Sequence, residues 1–299
     1  MKINDICGEQ IISKYLNPKN DFIVIHDIAY REMALGIQHV AQIKNLHTDL
    51  LEINDAIILD KLFENCIVKD CECILLVSED SFIRFRLRKY LNFSYGAPRI
   101  NKINKNSYVS IFPLESAQRI YSSDYKKDMQ ATESILLKLK DNALHKITTE
   151  IGTSITFISR KWCTHDNEIL TAPLENSING RIMVDGAVFY KKIENIVSVK
   201  IENGLFVGIY AESENAKSTI DEYIKMTNHD FVDTINKQLA ECGIGFNTNA
   251  VISNCFMESE TAFGTCHFCF GNNACYGGAN KSDFHGASVL IKNPDITMC

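Results

Sequence analysis

Four residues in the second half of the chain carry donor types that bind and activate a metal ion: Glu168, Glu241, His267 and His285. Two imidazoles and two carboxylates are ligands of the kind used by zinc, manganese or iron centres. No two of them sit at a dedicated short spacing. Residue type alone therefore leaves two readings open, a metal centre or core histidines with surface carboxylates. Glu168 falls in a polar patch with His165 and Asp166, and Glu241 stands just before Gly243-Ile244-Gly245. His267 lies in Gly264-Thr265-Cys266-His267-Phe268, whose composition suggests a strand. His285 follows Tyr276-Gly277-Gly278-Ala279-Asn280, a loop whose glycines let backbone approach a ligand closely, with Tyr276 as a further binding candidate.

The 11 cysteines form a second group with chemical potential. A chain of this length without an export signal keeps its thiols reduced, as small buried hydrophobes. Cys66, Cys71 and Cys73 match no common zinc spacing. Cys266-His267-Phe268-Cys269 matches half of a structural zinc site, with Cys275 or His285 to complete it. On a strand, however, Cys266 and Cys269 point to opposite faces. Both clusters are read as packing residues. A nucleophilic Cys266 or Cys269 beside His267 meets the same obstacle.

Two different patterns position these residues. From Asp21 to about Asn142, short apolar runs alternate with helical periodicity. Phe22–His26, Cys73–Val77 and Tyr108–Phe112 read as strands, with Asp27 as a helix cap and Met33, Ile37, Val40 and Ala41 as a helix face. Asp128 to Leu144 reads as one long helix, with Ala131, Ile135, Leu139 and Ala143 on one side. A basic stretch from Ser81, with Arg84, Arg86, Arg88 and Lys89, reads as a solvated helix face. The alternation predicts an α/β domain with a largely parallel sheet over residues 1–146.

From 147 to 299 the expected domain is α+β. Asn179-Gly180, Asp185-Gly186 and Asn203-Gly204 read as turns between β-rich runs. Asn203-Gly204 joins Ile196–Ile201 to Leu205–Tyr210 as a type I′ hairpin. Two helices are expected next, Asn215–Met226 and Asp230–Cys242. The second has Phe231, Ile235 and Leu239 as its stripe, Glu241 at its end and Gly243 just beyond.

Composition narrows the function classes. Of 299 residues, 45% are hydrophobic and 23% charged, values of a globular protein. A net charge of −6 argues against nucleic-acid binding, which rests on basic residues neutralising phosphates. No apolar stretch reaches the roughly 20 residues of a membrane span, and no signal-peptide apolar run follows Met1, so a cytoplasmic protein is expected.

Several ordered motifs together carry a resemblance. Leu239-Ala240-Glu241-Cys242-Gly243-Ile244-Gly245-Phe246-Asn247, then Gly264-Thr265-Cys266-His267, Gly271-Asn272, and Gly277-Gly278-Ala279-Asn280-Lys281-Ser282-Asp283-Phe284-His285 form one block. It resembles the C-terminal half of the thermophilic metallo-aminopeptidases of the aminopeptidase T type, a scaffold shared with non-haem-iron dihydroxypyridine dioxygenases. Thr171-Ala172-Pro173 after Glu168, Ser177-Ile178-Asn179-Gly180, Gly152-Thr153-Ser154 and Glu202-Asn203-Gly204 are similar as well. The resemblance spans Gly152 to Pro294. Before it, little beyond the strand–helix order and Asp124-Tyr125 is similar.

The resemblance implies that Glu168, Glu241, His267 and His285 are metal ligands and that the protein is a homodimer. The family's last ligand, an Asp two positions after the final His, is missing: the chain reads His285-Gly286-Ala287. The Pro/Gly lead-in to the first glutamate is also replaced, by His165-Asp166-Asn167. A dication depends on anionic donors, and a two-metal hydrolase needs both ions, so the loss predicts at most one.

Three readings follow from that loss. In the first, the metal site is eroded, no cofactor is bound, and the scaffold binds a peptide or amino-acid-derived small molecule for a partner biosynthetic enzyme. In the second, one Zn, Mn or Fe stays on Glu241, His267, His285 and Glu168 or Asp283, with Glu168 activating water for hydrolysis or oxygen chemistry. In the third, the vacated iron position admits another ligand, by analogy with Asp-to-Ala replacement in non-haem halogenases.

Overall fold

The computed structural model describes residues 2–15, 22–53, 72–76, 108–110, 113–165, 167–188, 191–211, 213–218, 221, 234–282 and 285–299. The basic stretch from Ser81, Cys66, Cys71, Asp166, Phe231 and Asp283 lie outside these residues. The chain forms two compact units, Met1–Ser123 and Asp124–Cys299.

The first unit is built on the parallel sheet the sequence implies. Strands β1 (Phe22–His26), β2 (Thr48–Glu52), β3 (Glu72–Leu76) and β4 (Tyr108–Ser110) lie in the order β2-β1-β3-β4, every pair parallel. The helix Arg31–Ile43 buries Met33, Ala34, Ile37, Val40 and Ala41 against Phe22, Val24, Ile74 and Leu76. The Asp27 carboxylate caps the turn before that helix, accepting from Tyr30 N at 3.2 Å. Strand β2 was not expected: Thr-Asp-Leu-Leu-Glu alternates too weakly to announce itself.

The division after Ser123 lies upstream of the expected boundary at 146. The cause is packing: Tyr125, Met129, Ile135, Leu136 and Leu139 lie against the core of the C-terminal unit. These residues do not form one long helix. Asp124 caps a helix at Tyr125–Ala131, and Thr132 then turns back, its hydroxyl donating to Met129 O at 2.9 Å. Glu133–Leu136 is a single further turn, and Leu144 already begins a strand.

The second unit has two antiparallel sheets. Its strands are β5 (Leu144–Thr148), β6 (Ser154–Ile158), β7 (Cys163–His165), β8 (Glu168–Thr171), β9 (Asn179–Val184), β10 (Ala187–Val188) and β11 (Lys191–Lys192). Then come β12 (Val197–Glu202), β13 (Leu205–Ala211), β14 (Leu239–Gly245), β15 (Thr265–Gly271), β16 (His285–Lys292) and β17 (Asp295–Met298). One sheet runs β11-β10-β16-β15-β14-β8-β7 and the other β13-β12-β9-β6-β5-β17. One apolar cluster joins them, with Ile147, Ile155, Phe157, Val197 and Val199 meeting Cys242, Ile244, Cys266, Phe268 and Val289.

The turn at Asn203-Gly204 forms as expected, with φ of 48° and 79°, joining β12 to β13. Asn179-Gly180 is not a turn but the start of β9. There a Cβ on Gly180 would lie 2.2 Å from Ser154 O, so glycine lets β6 and β9 close. The helix expected over Asp230–Cys242 is overturned within the described residues. Thr234–Lys237 is a short 3-10 turn and Leu239–Gly245 is β14, with Gly243 in mid-strand. All seven β14 residues are buried between β15 and β8, and that environment overrides the helix preference of Leu, Ala and Glu.

Candidate functional site

Strands β14 and β15 pair antiparallel so that Glu241 faces Cys269 and Gly243 faces His267. On the other side of β14, Glu168 faces Gly245 and Leu170 faces Gly243. Side chains alternate along a strand, so Glu168, Glu241, His267 and Cys269 rise from one face of the sheet. Cys242, Ile244, Cys266 and Phe268 fill the core on the other. Cys266 and Cys269 thus point apart, as expected from the strand reading.

His267 is fully buried and its ring crosses Gly243. A Cβ at position 243 would lie 2.1 Å from His267 Cε1 and 2.3 Å from Nε2, so only glycine leaves room. Nε2 of His267 donates to Glu241 Oε1 at 3.0 Å. Glu241 Oε2 accepts the Tyr276 hydroxyl and faces His285 Nε2 at 3.6 Å. Burial disfavours both charges of the Glu241–His267 pair. The hydrogen bond to His267 and the charges of His285 and His267 nevertheless hold Glu241 down to about 2. The bond to Glu241 and the charges of Glu168 and Glu260 likewise hold His267 up to about 10.

His285 opens β16, and its side chain is 40% exposed. Its Nδ1 lies 2.8 Å from the Asn272 carbonyl. A carbonyl only accepts, so that nitrogen is the donor, and Nε2 is left facing the Glu241 carboxylate. The loop from Asn272 to Ser282 carries Tyr276 and is folded around Asn273. Asn273 O accepts Tyr276 N at 3.0 Å and Gly278 N at 2.9 Å, and its Oδ1 accepts Asn280 N at 2.9 Å. Glu175 fastens this loop from outside, accepting Asn273 Nδ2 at 3.0 Å and Ala279 N at 2.7 Å while pairing with Arg160. Those donors, led by Arg160, overcome burial and hold Glu175 down to about 2.

The expected residues do not all converge on one point. Among the described residues, two groups bring three ligand atoms within 4.8 Å of one another: Glu241, His267 and Cys269, and Glu168, Glu260 and His267. Glu168 is therefore grouped with Glu260 rather than with Glu241, His285 falls in neither group, and Glu168 is buried. Glu260 escaped the sequence reading because a glutamate in the short helix Phe256–Thr261 shows no signal of its own. Cys269 was read as a packing residue, and its pairing with Glu241 also brings its thiol close to Glu241 and His267. Burial pushes Glu260 up to about 7 and the Cys269 thiol well above its ordinary value.

The mixed donors suit a divalent cation, and His267 Nδ1 is buried without a hydrogen-bond partner among the described residues. Both groups need His267, so two ions would have to share one imidazole. The set fits a single cation.

No described helix is long and apolar enough to cross a membrane. No known protein-family profile matches the chain. No curated protein matches it either. Solved structures do. The 2,5-dihydroxypyridine dioxygenase of Pseudomonas putida KT2440 is 15% identical with a TM-score of 0.66, covering 99% of this chain and 93% of that one. AmpT of Thermus thermophilus is 12% identical with a TM-score of 0.59, covering 99% and 94%. The chain shares the mixed α/β fold of these two proteins over nearly its whole length.

Proposed function

We propose that the C-terminal unit holds one divalent cation at Glu241, His267 and His285, beside a peptide or other amino-acid-derived small molecule. The observation that carries this reading is the orientation of His285. Its Nδ1 is tied to a backbone carbonyl while its Nε2 faces a buried carboxylate, the outer arrangement that fixes a metal-ligating histidine. The Tyr276 hydroxyl orients Glu241 in the same way, and the exposed side of His285 is where a ligand would arrive. A zinc, manganese or iron ion there would supply Lewis acidity. Glu168 is the carboxylate proposed to take a proton in a hydrolytic or oxygen-dependent reaction, with Glu260 beside it near its own titration point.

A second reading, a metal-free binding protein serving a partner biosynthetic enzyme, is favoured by a different observation. Both oxygens of Glu241 already meet protein donors, and Ala287 supplies no further anion. Elemental analysis of protein purified without chelator separates the two. About one equivalent of metal, lost in His267→Ala and His285→Ala, supports the cation reading. A folded protein that takes up no added Zn, Mn or Fe, yet binds peptides saturably in calorimetry, establishes the second instead.

A further inference from the structure

We infer that Cys269 is a ligand of the single cation and makes the site selective for zinc, supplying the anionic donor that Ala287 does not. This rests on the single-cation reading above. Cys269 and Glu241 are direct partners across β14 and β15, and His267 lies two residues before Cys269 on the same face. Their three ligand atoms lie within 4.8 Å of one another. Tetrahedral zinc, with bonds of about 2.0–2.3 Å, spaces its donors roughly 3–4 Å apart, so a modest contraction completes the set. The open side of the ion would then fall toward His285 Nε2, which faces the same carboxylate.

The surroundings of Cys269 fit this role. Its Sγ lies 2.9 Å from Ser288 Oγ, a hydroxyl able to donate to a thiolate, and both residues are buried. Cys242 and Cys266, 3.8 Å apart, lie in the apolar core on the opposite face and cannot reach the ion. A thiolate among the donors selects a softer ion than the oxygen-rich group of Glu168, Glu260 and His267, which suits manganese or iron. Zinc binding at Cys269 converts thiol to thiolate and releases that proton to buffer.

The test is cobalt(II) titration of the metal-free full-length chain under reducing, anaerobic conditions. One equivalent should raise a thiolate-to-cobalt charge-transfer band, which zinc then abolishes by displacement. Cys269→Ser should lose the band and weaken zinc at least 10–100-fold, roughly the loss typical of even outer-sphere partners. Cys242→Ala should keep both. One equivalent of cobalt bound without the band, at unchanged affinity in Cys269→Ser, would place the ion on carboxylates; the role of Cys269 falls and the single-cation reading stands. No cobalt uptake at all would sink both. The wild-type spectrum decides even if a variant fails to fold.

Discussion

The two faces of the seven-stranded sheet are made by alternate residues of the same strands, and both are buried. On one, Cys242, Ile244, Cys266, Phe268 and Phe270 join an apolar cluster held by area removed from water. On the other, Glu241, His267 and Cys269 are held by direction and charge, with one carboxylate facing two imidazoles and a phenol. The apolar face depends on volume, and a swap that conserves it costs little. The polar face depends on mutual neutralisation, and removing one member leaves the others charged in a low-dielectric site. The core is therefore the scaffold on which a costly polar constellation is held in place.

Truncating one residue on each face tests that contrast with the largest effects. Phe268→Ala and Glu241→Ala should each destabilise the metal-free protein by about 3–5 kcal/mol, the first by a cavity and the second by stranding a buried imidazolium. Their pH signatures should differ. His267 titrates at 6.5 unfolded and about 10 folded, so its stabilisation is complete below 6.5 and is lost as pH rises through about 10. Glu241 falls from 4.5 to about 2, so its share is complete above 4.5 and is lost as pH falls through about 2. Urea unfolding across pH should show both slopes in Phe268→Ala, whereas Glu241→Ala should lose the acid slope and keep only the part of the alkaline slope that Glu168 and Glu260 support. Identical profiles would mean that the pair does not form.

Glu260 gives a slope of opposite sign to that of Glu241, because burial rather than a partner sets it. Its value rises from 4.5 to about 7, so the folded state holds the extra proton and stability drops as pH climbs across that window. Glu260→Gln should flatten the drop and, by removing one of the charges that hold His267 up, move the alkaline limb to lower pH. Gly243→Ala comes next, at about 1–3 kcal/mol, because a new methyl must displace the His267 ring lying over it. Its nitrogen-15 histidine spectrum should show His267 titrating closer to 6.5, while a core-face change such as Ile244→Val leaves that signal alone.

The same two faces explain what could be read in advance. Phe22–His26 announces itself because a parallel strand buried on both sides needs an unbroken β-branched and aromatic run. Leu239–Gly245 is just as buried but is written mostly in Leu, Ala, Glu, Cys and Gly, with Ile244 alone favouring a strand, so it reads as a helix end. Glu241, His267 and His285 were visible as residue types, whereas Glu260 and Cys269 come close to His267 only through register and through the approach of the helix Phe256–Thr261. That helix comes close enough for a Cβ on Gly245 to meet Glu260 O at 2.5 Å. Strand pairing across two dozen residues has no local signal in the chain.

The smallest effect expected separates the polar face from the loop that completes it. Glu175 lies off the sheet, and its side chain keeps about a fifth of its exposure, so Glu175→Gln removes charge from a partly screened site and should cost about 0.5–1.5 kcal/mol. Glutamine retains an acceptor for Ala279 N but loses the ion pair with Arg160. Hydrogen exchange at Ala279, and at Tyr276 and Gly278 bound to Asn273, should accelerate while the β14 and β15 amides stay protected. Acid stability should shift as well: Glu175 falls to about 2 on folding, so its contribution is present above 4.5 and vanishes as pH drops through about 2. Should exchange rise equally in β14, the loop and the sheet would be one cooperative body, and Tyr276 would owe its place over Glu241 to the core rather than to Glu175.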